Sequence, residues 1–479
     1  MNTPDYETEL RRLQETNRVQ AARIQALEAE LVQLKTLLSG KAEAKAAKKP
    51  RFTDNYSFSK NKQTKKRRKK STGRRSNDAK CELIDEEFAV YPEHAVRSRC
   101  VVHRTQCAWR IVDGQARYIC YQIFALPDAQ ELPLPPGVRN SRSEFGIEII
   151  LILAYLHYWI GVSLDNACEV LNFFTGLVLS KSQADSLLSQ LSTDWTEQYD
   201  AIAGLIALQM VVYIDETGWK VGKSSCYTWA FSTAMHVLFR CGVGRGKSEA
   251  EAVVGKCFPG IGVTDDYNAY THLFSKHQLC WAHLIRKAIK LALQYPDQKA
   301  YATFLDELCA IYQQGVVYQN DRRLSVSREA KVLELQARIR AICTLQGTPI
   351  NKDTTPDPTA TFIRLQNELC DGLECLFVFV QYPTVETTNN RSERNVRREA
   401  EIRKGGRTSK SANGAKRRGV IMTVLASLRT RFTKFTLNLL LAEVKRWGEQ
   451  GCSIFESELE LFRRAAGPDS LEPEVAPTG

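Results

Sequence analysis

MVVYID (Met210–Asp215), CYTWAFST (Cys226–Thr233) and HVLFRCGV (His236–Val243) are three short runs rich in β-branched and aromatic residues, separated by turn-forming Gly, Lys and Ser. That pattern predicts three strands. SEAEAVVGKCF (Ser248–Phe258) follows as a helix, and GIGVTD (Gly260–Asp265) as a fourth strand. NAYTHLF (Asn268–Phe274) reads as a short helix, HQLCWA (His277–Ala282) as a fifth strand, and HLIRKAIKLAL (His283–Leu293) as a helix. The stretch is therefore an α/β unit, with its first strand apolar enough to be buried on both faces.

Three strands, helix, strand, helix, strand, helix is the order of the ribonuclease H-like fold. In that fold the first strand is central and the fourth lies beside it, so Asp215 and Asp265 would meet at one end of the sheet. A carboxylate ending a buried strand is costly unless it meets a cation. Glu216 points the other way if the pleat continues. Asp265 shares parity with Ile261 and Val263, whereas Asp266 is placed to cap the next helix.

A third acid, Glu393, lies in the polar run NNRSERNVRR (Asn389–Arg398), where it opens a predicted helix. Carboxylates are the ligands that Mg²⁺ or Mn²⁺ prefers. Two such ions about 3.5–4 Å apart stabilise the attacking and leaving oxygens of a phosphodiester displacement. Asp215, Asp265 and Glu393 are thus candidate metal ligands and catalytic acids. Glu393 also has an alternative reading as a salt-bridged surface residue, because Arg394, Arg397 and Arg398 surround it. Those arginines, with Arg403, Lys404 and Arg407 in RKGGRTSKSANGAKRR (Arg403–Arg418), are candidates for holding DNA phosphates.

The rest of the chain supports a polyanionic partner. Its net charge is +12 over 479 residues, which favours nucleic acid or an acidic membrane surface. The basic run Lys60–Arg75, including Lys65, Lys66, Arg67 and Arg68, is too polar to fold alone and is expected to be a disordered linker gripping phosphates. No amphipathic or lipidation signal stands beside it, so DNA is preferred to a membrane. The most apolar stretch, Ile147–Leu164, carries Glu148 and His157 and is marginal for a span of roughly 20 residues. It reads as a buried helix. Fourteen cysteines without short repeated spacing, and no secretory signal, fit free thiols in a reducing cytosol.

Leu10, Leu13, Asn17, Gln20, Ile24, Leu27, Leu31, Leu34 and Leu38 step by threes and fours, the seam of a coiled coil. A polar Asn at one core position fixes register in such a seam. Cys81 to Gln130 reads as a small β-rich module with RYICYQIFAL (Arg117–Leu126) as its clearest strand. Cys100, His103, Cys107 and Cys120 leave Zn²⁺ open there, but no CxxC pair is present and buried thiols are preferred. Two helices follow: Ser163 caps the first, and Ser182 with Asp185 suggests a capping box for the second. Around a Gly turn, they read as a helix-turn-helix or as a plain helical pair.

YIDETGW (Tyr213–Trp219), VTDDYNAY (Val263–Tyr270), CWAHLIRKA (Cys280–Ala288) and NNRSERNVR, in that order, resemble the transposases of the insertion sequence 66 family, within the DDE superfamily. So does GGRTSKSANGAKRRGVIMTVLASLRT (Gly405–Thr430). The resemblance implies Asp215, Asp265 and Glu393 as first, second and third catalytic acids, DNA ends and target as partners, and an oligomer, with accessory proteins common. Cys280 and His283 resemble the Cys-x-x-His signature of several DDE families. The expected organisation is a coiled coil at 1–40, a basic linker at 41–80, a β-rich module at 81–137, and a helical DNA-binding region at 138–205. A ribonuclease H-like core at 206–447 carries a helical insertion around 287–373, and a helix and tail occupy 448–479. The rival expectation is a silent transposase-derived DNA-binding protein or repressor.

Overall fold

The computed structural model describes residues 82–466 except 266, 271, 325–326 and 352–354. The expected coiled coil, the basic residues Lys65, Lys66, Arg67 and Arg68, Asp266 and the C-terminal tail lie outside the described residues.

The first module is a three-stranded sheet. β1 (Glu86–Val90) pairs in parallel with β3 (Gln115–Ala125), which pairs antiparallel with β2 (Val101–Val112). Asp113 and Gly114 both take positive φ between β2 and β3, the turn whose twist matches a hairpin. Arg110 reaches across to Glu148 at 2.6 Å and ties this sheet to the next helix.

That helix, α1 (Ile147–Ala154), runs into a π-helical turn at Tyr155–Ile160 that stops at Gly161 with φ 83°. A Cβ there would lie 2.6 Å from Ile402, so both conformation and space require glycine. α2 (Leu164–Thr175) starts at Ser163, whose side chain accepts from the Asn166 amide. The cap of α3 (Lys181–Asp194) differs from expectation: Ser180 and Gln183 form the capping box, two residues before Ser182. Gln183 satisfies the cap reciprocally, which Asp185, facing Arg417, does not. α4 (Thr196–Ala207) leads into the main sheet.

The main sheet has the order β6-β5-β4-β7-β8, with β4 (Val211–Val221) central. β5 (Ser224–Ser232) and β6 (Val237–Val243) continue antiparallel on one side. On the other side β7 (Phe258–Thr264) and β8 (Phe274–Leu279) pair in parallel, reached through α5 (Lys247–Val254). Val212, Tyr213 and Ile214 are all buried, so β4 is covered on both faces. The short helix expected at 268–274 is reduced to a 3-10 turn at Asn268–Tyr270, and β8 begins early, at Phe274. The ring of Phe274 fills the space left open at Gly262 in β7.

Helices α6 (Trp281–Gln294), α7 (Lys299–Asn320), α8 (Arg328–Ile342) and α9 (Asp357–Asp371) follow, then the short α10 (Leu373–Leu376) and α11 (Val378–Gln381). They share a core containing Leu308, Ile311, Leu335, Ile339 and Phe379. Buried Gln278 of β8 binds this body at both ends of its amide, donating to the Leu376 carbonyl and accepting from the Phe379 amide. α12 (Asn390–Lys404) then returns to the sheet. α13 (Ala412–Arg431) lies along β6, where Thr423 and Ser427 accept from the backbone amides of Phe239 and Val237. Those amides belong to an edge strand, and the hydroxyls occupy them as a further strand would. α14 (Leu437–Gln450) and α15 (Ile454–Ala466) complete the described chain.

Candidate active site

Asp215 is the fifth residue of β4, and Asp265 immediately follows β7, the parallel neighbour of β4. The short parallel ladder pairs Val211 with Ile261 and Tyr213 with Val263, which delivers both acids to the same end of the sheet. Burial pushes the Asp215 carboxyl well above its ordinary range. The charges of Glu216, Asp265 and Glu393 push the same way, against one hydrogen bond from the Glu216 amide at 2.9 Å. No cation forms an ion pair with Asp215 or Asp265 among the described residues. A buried acid whose neighbours are acids is unfavourable as an anion unless a cation joins it.

Asp265 is fixed by its backbone. Its Oδ1 accepts from the Tyr267 amide at 3.3 Å, while the Thr264 hydroxyl donates to the Asp265 carbonyl at 2.6 Å. His277 of β8 shares a 2.7 Å hydrogen bond with that hydroxyl, and burial pulls its ring down to about 4, so it is neutral near pH 7.

Glu393 stands in the first turn of α12, and two side chains that pattern reading missed pin that turn to the sheet. Asn389 is buried, donates to the Ile214 carbonyl at 2.7 Å, and uses its amide toward Cys280 Sγ at 3.2 Å. Ser392 donates to the Ala230 carbonyl at 2.8 Å, and Ala230 is the residue paired with Asp215. The helix start is therefore fixed at the level of the first acid. The visible signal was the density of small polar residues in NNRSER, unusual for a segment facing an apolar sheet.

The Glu393 carboxylate itself turns toward α6. It lies 3.6 Å from His283 Nδ1, and Arg286 donates to both of its oxygens at 3.3 Å. Cys280 Sγ is 3.7 Å away. Among the described residues, the group whose ligand atoms all lie within 4.8 Å of one another is Cys280, His283 and Glu393. Asp215, Asp265 and Glu393 thus form one electrostatic cluster, but not all three carboxylates stand at the spacing of a single shared ion. Arg286 supplies the reason, by holding Glu393 from the α6 side.

Glu216 faces away, as the pleat predicts: it accepts from Tyr270 at 2.6 Å and pairs with Arg245 at 2.9 Å. The basic residues of α12 divide by face. Arg394, Arg397 and Lys404 are exposed. Arg398 instead lies over Trp159 at 4.1 Å and donates to its carbonyl, while Arg403 donates to the Gly218 carbonyl. Arg407, although exposed, donates to the Gly161 carbonyl. The fold therefore uses Arg398, Arg403 and Arg407 as internal ties. In the β-rich module, Cys100 bonds the Val96 carbonyl and His103 the Leu126 carbonyl, and with Cys107 and Cys120 they form no close ligand group.

The class of protein is thus an α/β body with an acid cluster where the parallel ladder of its central strand ends, β4 itself running on past Asp215 to Val221 instead of stopping there as its apolar run does. A model of the family described as Transposase IS66 family matches residues 142–417, more than half of the chain, and the chain belongs to that family. A search of curated proteins found no match. Membership carries a function in DNA transposition, an enzyme of the nuclease or transferase type, and DNA as a partner. No helix among the described residues is long and apolar enough to cross a membrane.

Proposed function

We propose that this chain is a DDE-type transposase with a ribonuclease H-like core, cutting DNA at element ends and joining the freed ends to target DNA. The observation that carries the reading is Asp215, half-buried on the central strand, with three other carboxylates raising its pKa and no cation of its own among the described residues. The strand order, with the first strand central and the fourth beside it, supports the same fold.

Asp215, Asp265 and Glu393 are the residues that would hold Mg²⁺ or Mn²⁺, as two ions. The donor set fits: hard oxygen ligands whose mutual repulsion a divalent cation removes. Such ions, when bound, activate an attacking oxygen and stabilise a departing one. The rest of the work falls to the chain. Asn389 and Ser392 hold Glu393 beside the sheet. Arg286, which donates to both Glu393 oxygens, neutralises that carboxylate and would be free to meet a phosphate if Glu393 were to hold a cation instead. Arg394, Arg397 and Lys404, exposed on the same helix, hold the flanking backbone. In cleavage, a water oxygen forms one P–O bond while the bond to the 3′-oxygen breaks, leaving a 3′-hydroxyl and a 5′-phosphate. In joining, that hydroxyl attacks a target phosphate and a target 3′-oxygen leaves. Each step breaks one P–O bond as it forms another; cleavage leaves a phosphate monoester, whereas joining replaces one phosphodiester by another. Two ends must meet, so a dimer or larger assembly is part of the proposal.

The test uses purified protein, Mg²⁺ and labelled DNA carrying the repeats that flank the coding region. Asp215→Ala, Asp265→Ala and Glu393→Ala each retain end-binding and lose cleavage by on the order of a hundred- to a thousandfold, the usual size for one transition-state charge group. Cleavage retained in all three rejects the assignment, and binding without cleavage by the parent protein favours a repressor.

A further inference from the structure

A cleft of about 960 Å³ lies away from the acid cluster, none of whose carboxylates lines it. One wall comes from α3 and the start of α4, with Ser189, Ser192, Thr193 and Thr196. The other is the segment from Gly406 to Lys416, including the first turn of α13. Ser409 staples that segment to the sheet: its backbone carbonyl accepts from the Gly222 amide at 2.8 Å, and its hydroxyl from Trp219 Nε1 at 3.1 Å.

The lining is hydroxyl-rich and cationic. Lys410 and Lys416 are exposed and have no ion pair among the described residues; the acid felt by Lys416 is Asp200, at longer range. Asp185 is the acid of the lining and is already paired with Arg417 at 2.6 Å. Arg417 keeps its Nε buried without an acceptor. On the α3 side Ser189, Thr193 and Thr196 spend their hydroxyl protons on carbonyls of the helical backbone, so the pull on an oxyanion comes from the unpaired lysines, the unmet guanidinium N–H and the helix start beside them. At about 960 Å³ the cleft is too large for a single phosphate, and Tyr158 and Trp219, the Tyr and Trp of its lining, are buried and offer little surface for stacking a base.

We infer that this cleft is a docking site for the phosphate backbone of duplex DNA, separate from the acid cluster. It rests on the transposase reading and adds where the DNA runs. Trp219 lines the cleft and lies four residues beyond Asp215 on β4. At roughly 3.3 Å per residue that is about 13 Å. Duplex DNA rises 3.4 Å per base pair, so the docked phosphates lie about four base pairs from the scissile one. The wall formed by α3 gives that helix a use that requires no base contact.

The experiment measures affinity of the full chain for a fluorescein-labelled short duplex of arbitrary sequence, in EDTA, across a KCl series. Working without divalent metal separates docking from catalysis. The Lys410→Gln/Lys416→Gln double variant binds about tenfold more weakly, and the slope of log K against log salt falls in magnitude by about 1.8, at roughly 0.9 per phosphate contact. Thr193→Glu, on the opposite wall, weakens binding comparably. Lys299→Glu, exposed on α7, serves as a charge control, and thermal unfolding checks that each variant folds. Parent-like affinity and slope in both cleft variants overturn this inference and leave the transposase reading standing. Failure of the parent chain to bind any duplex overturns both.

Discussion

Asp215 is half-buried and Glu399 fully buried around the same sheet, and the chain treats the two acids in opposite ways. Glu399 is fully buried and receives both arms of the Arg418 guanidinium, at 2.7 and 2.8 Å. Arg418 is itself buried and lies over Trp219 at 4.8 Å. Asp215 has three acids nearby and a single amide donor. A buried acid that meets a guanidinium is finished as scaffold. One that meets other acids is chemically incomplete, and that incompleteness marks the site. α12 carries both kinds of position: Glu393 in its first turn and Glu399 two turns later.

The largest expected effect is on the completed pair. Glu399→Ala leaves Arg418 buried without its partner and costs about 3–5 kcal/mol in denaturant unfolding. Replacing both by Leu and Met recovers most of that loss. If the single variant were as stable as the parent, the scaffold half of the contrast would fail.

Asn389→Ala tests the link between the two halves. It removes the 2.7 Å bond to the Ile214 carbonyl that fixes the start of α12. Cleavage should drop by about tenfold or more while duplex affinity stays, because misplacement, not charge, is what changes. Equal loss of affinity and cleavage would assign Asn389 to general folding.

The smallest effect is the most specific. The folded Asp215 carboxyl holds its proton more tightly than an unfolded one, whose ordinary value is 3.8. Its contribution to stability is therefore fully present below that value and is lost as pH rises through the raised folded value. Asp215→Asn should raise the metal-free Tm near pH 7, with the gain fading toward pH 4. A destabilised Asn variant at neutral pH would mean that the carboxylate is satisfied after all.

Much of the sheet was legible because its strands are contiguous apolar runs with short turns, and Asp215 and Asp265 sit where those runs stop. The meeting of those two strands followed from element order, and the ladder between β4 and β7 realises it. What escaped were pairings between residues far apart: Ser392 with Ala230, Thr423 with Phe239, and Glu399 with Arg418. Local pattern holds no information on such partners. The division of the arginines was partly readable. Ser392, Val396 and Glu399 recur at helical spacing and are buried, so Arg403, one turn further along that stripe, belongs inward and Arg394 and Arg397 outward. The Ser180 cap was obscured by a second serine two residues later, and only the reciprocal bond to Gln183 separates them.

The central claim, that the acid cluster is completed by divalent metal, is most directly tested by Mn²⁺ binding to the full chain followed by electron paramagnetic resonance without DNA. Saturable binding is expected, abolished by Asp215→Ala and by Asp265→Ala and left in place by Glu216→Gln, on the opposite face of the strand. Undiminished binding in both Ala variants would contradict that claim.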